Sequence, residues 1–139
     1  MVYGYRRHEG FRYTFNEPIE CYFKLIKIDD REINSDYGNG HIIDISPTGI
    51  KLNASLNLSH SNSLIKIEIN FTIAGTSFDL PGIILWQKKG YHQDYYYGVK
   101  LLVSTDTTER IVEQIKIHAK NSLTKKGVQK VEVKTKSTT

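Results

Sequence analysis

Three arginines crowd one end of the chain: Arg6, Arg7 and Arg12. They are three of only five arginines in a sequence that carries 14 lysines, and no lysine stands among them. Where charge alone is wanted this chain uses lysine, so the cluster points to what the planar guanidinium fork adds. That fork grips phosphate oxygens or the O6/N7 edge of guanine at two points, and it stacks on flat bases. On charge alone the cluster reads equally as a solvated basic segment with Glu9 as an ion-pair partner. A second group is Asp44-Ile45-Ser46-Pro47-Thr48-Gly49. Pro47 presets the first central position of a β-turn, Ser46 suits the position before it, and Gly49 suits the last. Turn chemistry thus accounts for Ser46, Pro47 and Gly49, but not for Asp44. A carboxylate at a strand end can accept hydrogen bonds from guanine N1–H and the exocyclic amine, and the Ser46 hydroxyl can serve a phosphate or base.

Other chemistries find little support. His8, His41, His60, His92 and His118 are scattered, without metal-ligand spacing. The glycines form neither a P-loop nor a dinucleotide fingerprint, and Ser46 lies in no nucleophile elbow. The sequence therefore predicts no enzyme, no catalytic residues, no metal and no cofactor. Nine tyrosines, five phenylalanines and one tryptophan are compatible with an RNA-binding barrel. Tyr95-Tyr96-Tyr97 reads more simply as core and rim packing, and Trp86, after Ile83-Ile84-Leu85, as core. Cys21, the one cysteine, has no disulfide partner and sits among Ile19, Tyr22 and Phe23 like a buried, inert strand thiol. A free thiol fits a reducing compartment, so a cytoplasmic location is expected.

Length and composition fit one domain that buries its core without disulfide or metal. No apolar run reaches the length of a membrane span, and no signal-peptide core is visible. The charge of +4 is unevenly placed. Residues 120–139 hold six lysines and one acid, Glu132, whereas residues 1–119 hold 13 basic and 14 acidic residues. A basic tail can touch nucleic acid or anionic lipid, but so weak a pattern is more simply solvated, and nucleic acid is not expected as a partner.

The elements that must position these residues are mainly strands. Residues 1–12 lack any period and read as an arginine-bearing arm. Residues 19–28 read as a strand, 29–40 as a loop, 41–45 and 50–53 as short strands around the Ser46–Gly49 turn, and 54–62 as a polar connection. Residues 63–72 alternate, with Ile65, Ile67, Ile69 and Phe71 on one face, as in a half-buried antiparallel strand. Ala74-Gly75 suits a hairpin turn. Residues 77–88 form the next strand, with a bulge or bend expected at Pro81-Gly82, and 96–103 the last. One helix follows, capped by Thr105 or Asp106, with Ile111, Val112 and Ile115 as its apolar stripe and an end near Lys120-Asn121. Residues 121–139 are expected to be a disordered tail or at most a short extended segment. The pattern is that of an all-β barrel with a helical lid.

Together these pieces resemble the PilZ family, which carries an arginine motif in an N-terminal arm and a D/N-x-S-x-x-G motif between two barrel strands. Asp44, Ser46 and Gly49 complete the second motif. Leu85-Trp86 and Tyr97-Gly98-Val99-Lys100-Leu101 are similar to the family's later strands, and the resemblance covers about residues 5 to 120. Four residues separate Arg7 from Arg12 where the family has three.

The resemblance implies an antiparallel six- or seven-stranded barrel over residues 13–120 with one C-terminal helix. It implies a receptor for the bacterial second messenger cyclic di-GMP, with Arg6, Arg7, Arg12, Asp44, Ser46 and Gly49 as ligand-binding residues. The arm would order over the ligand and signal to a separate effector protein, such as one controlling motility, exopolysaccharide or transcription. The lengthened arginine spacing motivates an alternative, a ligand-blind interaction module of the same fold.

Overall fold

Alternation in the chain becomes a barrel wall. In the computed structural model, residues 11–58 and 63–138 are described, with side chains through residue 123. Seven strands form: β1 (Tyr13–Ile28), β2 (Arg31–Glu32), β3 (Gly38–Ser46), β4 (Gly49–Ala54), β5 (Ile65–Ile73), β6 (Thr76–Lys89) and β7 (Tyr95–Leu101). A helix, α1 (Thr105–Thr138), follows. The strand order is β2-β1-β3-β4-β7-β6-β5, and β5 pairs back onto β1, so six antiparallel strands close on themselves with β2 as an extra. Closure leaves few free edges. It depends on the length of β1, whose Cys21–Phe23 stretch pairs with β3 on one side and β5 on the other.

β5 shows the cause most cleanly. Ile65, Ile67, Ile69, Phe71 and Ile73 are buried, while the residues between them are not. They meet Phe23, Ile42, Ile45, Leu52, Tyr97 and Val99 in one core. Burying each such side chain contributes roughly 1.5–3 kcal/mol. The Ile73–Thr76 hairpin turns through Ala74 (φ 50°) and Gly75 (φ 83°), the two positive φ values of a type I′ turn.

Several expectations change at this level. Within the stretch read as loop 29–40, β2 forms and β3 begins at Gly38. No irregularity occurs at Pro81-Gly82: Pro81 opposes Glu68 and Gly82 opposes Ile67 in continuous register. The reason is direction. The Pro81 carbonyl accepts from Leu102 N–H at 2.9 Å, so the missing N–H also faces away from β5, at the point where β7 has ended. The bulge lies instead at Leu85, between the pairs Ile84–Val99 and Trp86–Gly98.

α1 covers the barrel with Ile111, Val112 and Ile115, all buried. Its cap is Ser104 and not Thr105 or Asp106: Ser104 Oγ accepts from Thr107 N–H at 3.3 Å, and the Ser104 carbonyl accepts from Thr108 N–H. His118 meets the rings of Tyr13 and Phe15 edge-on, at 5.9 and 5.2 Å, which ties the helix to the start of β1. The backbone stays helical to Thr138, past the end expected near Lys120-Asn121. That stretch contains no proline and carries five lysines, which are good helix formers. None of the described helices is long and apolar enough to cross a membrane.

Candidate functional site

The Ser46–Gly49 hairpin fixes one wall of the site. Ser46 pairs with Gly49 across a two-residue turn, Pro47-Thr48. The turn is held from outside: the Thr48 carbonyl accepts from Leu101 N–H at 2.9 Å, and the Pro47 carbonyl accepts from Thr108 Oγ1 at 3.4 Å. Ser46 is buried, and its hydroxyl donates to the Gly49 carbonyl at 3.4 Å. A Cβ on Gly49 would stand 3.2 Å from the Val99 carbonyl, a tight fit. The glycine thus allows β4 and β7 to approach closely, and its φ is not in the left-handed region.

Strand register then assembles the rest. Thr14 opposes Asp44, Asp44 opposes Lys51, Lys51 opposes Gly98, and Gly98 opposes Trp86. One row across five strands therefore carries a carboxylate, an ammonium and an indole. Arg12, just before β1, reaches into this row, its Nη1 donating to Asp44 Oδ1 at 2.5 Å. The Arg12 side chain is 58% exposed and that of Asp44 13%. The pair joins the two groups that the sequence singled out separately.

Beside the row lies a cavity of about 410 Å³. Arg12, Ser46 and Gly49 line it, together with Lys51, Lys100, Leu85 and Trp86. Asp44 stands next to the cavity and not in its wall. Arg6 and Arg7 lie outside the described residues, so the structure brings together Arg12, Asp44, Ser46 and Gly49 and leaves the other two unplaced.

Trp86 corrects the sequence reading. It is 45% exposed and not core, and Leu85 beside it is 62% exposed. The bulge is the cause. Before it, Phe78 and Leu80 face inward; after it, Gln87 faces inward, where its Nε2 donates to Tyr97 Oη at 3.0 Å. The shift of one residue leaves Leu85 and Trp86 both facing out. The indole lies on Gly98, where a Cβ would come within 2.0 Å of Nε1. Only glycine lets the ring lie down there. Lys51 is held by the ring of Tyr96, its Nζ 5.3 Å from the centroid. The three tyrosines divide accordingly: Tyr97 is core, while Tyr95 and Tyr96 are partly exposed.

Sequence reading missed Lys51 and Lys100 as site residues. The signal was available only in the pairing: both stand on outward positions of strands next to the Ser46–Gly49 turn. Cys21 is buried as expected, and burial pushes its thiol up to about 12. Among the described residues no group of three His, Cys, Asp or Glu side chains is placed to hold a metal ion.

A basic face with an aromatic platform and a carboxylate is suited to a ligand with phosphates, flat rings and hydrogen-bond donors. No curated protein matches the chain. The family model described as PilZ domain matches residues 6–116. With all seven described strands, the turn motif and the first three turns of the closing helix inside that span, the chain belongs to the PilZ-domain family, whose members are in general receptors for cyclic di-GMP.

Proposed function

We propose that this protein is a cyclic di-GMP receptor whose ligand lies along the Asp44–Lys51–Gly98–Trp86 row. The observation that carries the reading is that one row, with Arg12 at its end, offers each group such a ligand needs. Trp86 supplies a face for a base. Lys51, Lys100 and the arginines Arg6, Arg7 and Arg12 supply charge for two phosphates. Asp44 supplies acceptors for a guanine edge, with Ser46 and Gly49 shaping the wall.

The Arg12–Asp44 pair gives the mechanism a starting state. A guanidinium and the N1–H/N2–H₂ edge of guanine both present two donors in a plane, so both fit the same carboxylate. A guanine entering at Asp44 replaces Arg12, and the freed guanidinium turns to a phosphate or a base face. The arm then orders over the ligand and presents a new surface to an effector protein.

Isothermal titration calorimetry with cyclic di-GMP tests this, with GMP and cyclic di-AMP as competitors. Saturable heat is expected, lost or cut at least about tenfold in affinity by Arg7→Ala and by Asp44→Ala, a change of about 1.4 kcal/mol or more. Absence of heat from folded protein would instead give the lead to the ligand-blind interaction module.

A further inference from the structure

Two flat rings stand side by side on the outside of β7. Tyr97 and Val99 of this strand are core, so Tyr96 and Gly98 face outward, about 7 Å from one another. The Trp86 indole rests on Gly98 and takes the first position, and the ring of Tyr96 takes the second. The two differ in what covers them. Trp86 lines the cavity and is open to whatever enters. Tyr96 is partly exposed but stands outside the cavity wall, with a lysine across its face. Lys51 opposes Gly98, and its ammonium reaches diagonally to the Tyr96 ring, 5.3 Å from the centroid.

That ring is all that holds the lysine. Among the described residues the Lys51 ammonium has no carboxylate or hydrogen-bond partner, and the acid opposite it, Asp44, is paired with Arg12. The Asn53 amide, opposite Tyr96, is committed to Asp94 Oδ2 at 3.0 Å and the Tyr95 carbonyl at 3.2 Å. Lys51 can therefore leave Tyr96 for a phosphate and uncover only the ring face. A base stacked on that face outweighs an exposed cation–π contact, and the ammonium gains a charge-assisted bond. The exchange favours a ligand that brings a phosphate together with a base to spare. A mononucleotide has one base, and the open indole takes it without moving Lys51.

We propose that Tyr96 is a second base platform, covered by Lys51 in the free protein, and that it makes the site selective for a dinucleotide over a mononucleotide. The proposal rests on the cyclic di-GMP reading. The first base lies on Trp86. The second arrives tethered through the phosphates, one of which draws Lys51 off the Tyr96 ring, and the base takes its place.

Calorimetry with cyclic di-GMP and with GMP, on the parent chain, Tyr96→Leu and Tyr96→Phe, tests the proposal. Tyr96→Leu is expected to weaken cyclic di-GMP at least about tenfold, the loss of one stacked base, and GMP less than about twofold. Tyr96→Phe keeps the ring and is expected to stay within about twofold of the parent for both ligands. A second readout uses the parent alone. The ε-methylene protons of Lys51, assigned by their absence from Lys51→Arg, lie upfield in the free protein through the ring current of Tyr96. They are expected to return to the ordinary lysine position with cyclic di-GMP and to stay upfield with GMP. If Tyr96→Leu does not fold, this signal decides. Equal losses of both ligands in Tyr96→Leu, or a Lys51 signal that stays upfield in the cyclic di-GMP complex, reduce Tyr96 to a support for Lys51 and overturn the proposal. Unchanged cyclic di-GMP affinity in Tyr96→Leu overturns it while the receptor reading stands. A folded parent that binds no cyclic di-GMP sinks both.

Discussion

Gly98 decides how deep the site is. Its missing Cβ is the space in which the Trp86 indole rests, with Nε1 and Cε2 at 2.0 and 2.2 Å from where that carbon would stand. Gly98→Ala must lift or turn the ring, since β7 is paired on both sides at this point and cannot retreat. The expected outcome is a shifted Trp86 emission maximum, a loss of nucleotide affinity of about tenfold, and a fold kept within about 1 kcal/mol, because strand interiors favour alanine over glycine. The single tryptophan makes the emission unambiguous. An unchanged spectrum in the variant would mean that the ring does not lie on Gly98. Arg12 and Asp44 are a different case, because their contact is between two charged and partly exposed groups. In isolation such a pair contributes little to stability, about 0–1 kcal/mol. In the proposed receptor its consequence would be competition for the carboxylate.

Among the elements, the connection between β4 and β5 depends on one hydroxyl. Tyr97 Oη donates to the Leu56 carbonyl at 2.5 Å and accepts from Leu58 N–H at 2.8 Å and Gln87 Nε2 at 3.0 Å. Burial pushes the pKa of this phenol above its ordinary value. Tyr97→Phe keeps the ring and removes all three bonds, of which Gln87 Nε2 retains a second acceptor in Asn57 Oδ1 at 2.9 Å. The expected cost is about 1–3 kcal/mol, read as a lower melting temperature, with faster amide exchange at Leu58. A melting point equal to that of the parent would show that water replaces the hydroxyl. This level also shows what the sequence could reveal. The β5 strand and the Ser46–Gly49 turn were legible because alternation and turn preference are local. The Leu85 bulge was not, since it is set by which residues of β7 stand opposite, and so Trp86 was read into the core. Pro81-Gly82 misled for the related reason that a proline breaks a ladder only where a partner waits for its N–H. Ser104 was missed as the cap by one residue, a shift that the neighbouring Thr105 and Asp106 made easy. Lys51 and Lys100 join the site only through register, which no single strand records.

At the scale of the whole molecule, Cys21 reports on the closed barrel. It opposes Gly40 on one side and Phe71 on the other, and its thiol is buried. Because burial raises this acid from 9.0 to about 12, the folded state holds its proton where the unfolded chain releases it. The thiol's contribution to stability is therefore present below about pH 9 and declines as pH rises from 9 towards 12. At pH 8 the native protein should react with a maleimide at least about a thousandfold more slowly than the urea-unfolded chain, in step with the small unfolded fraction. Fast labelling of the native protein would show local opening of β1.

The long first strand also has a consequence for biosynthesis. β1 is made first, yet its partner β5 begins at Ile65, and the row through Gly98 waits for β7, which ends at Leu101. At a synthesis rate of about 5–20 residues per second, the stretch from Ile28 to Leu101 takes about 4–15 s to add. For that time Phe23, Ile42, Ile45 and Leu52 lack the strands that will cover them. The outward lysines Lys24 and Lys27 on β1 and Lys51 on β4 occupy two of the same strands, and charges so placed discourage edge-to-edge pairing between nascent chains. One of the residues proposed to attract an anion in the folded protein, Lys51, thus also helps to keep the unfinished chain apart from its neighbours.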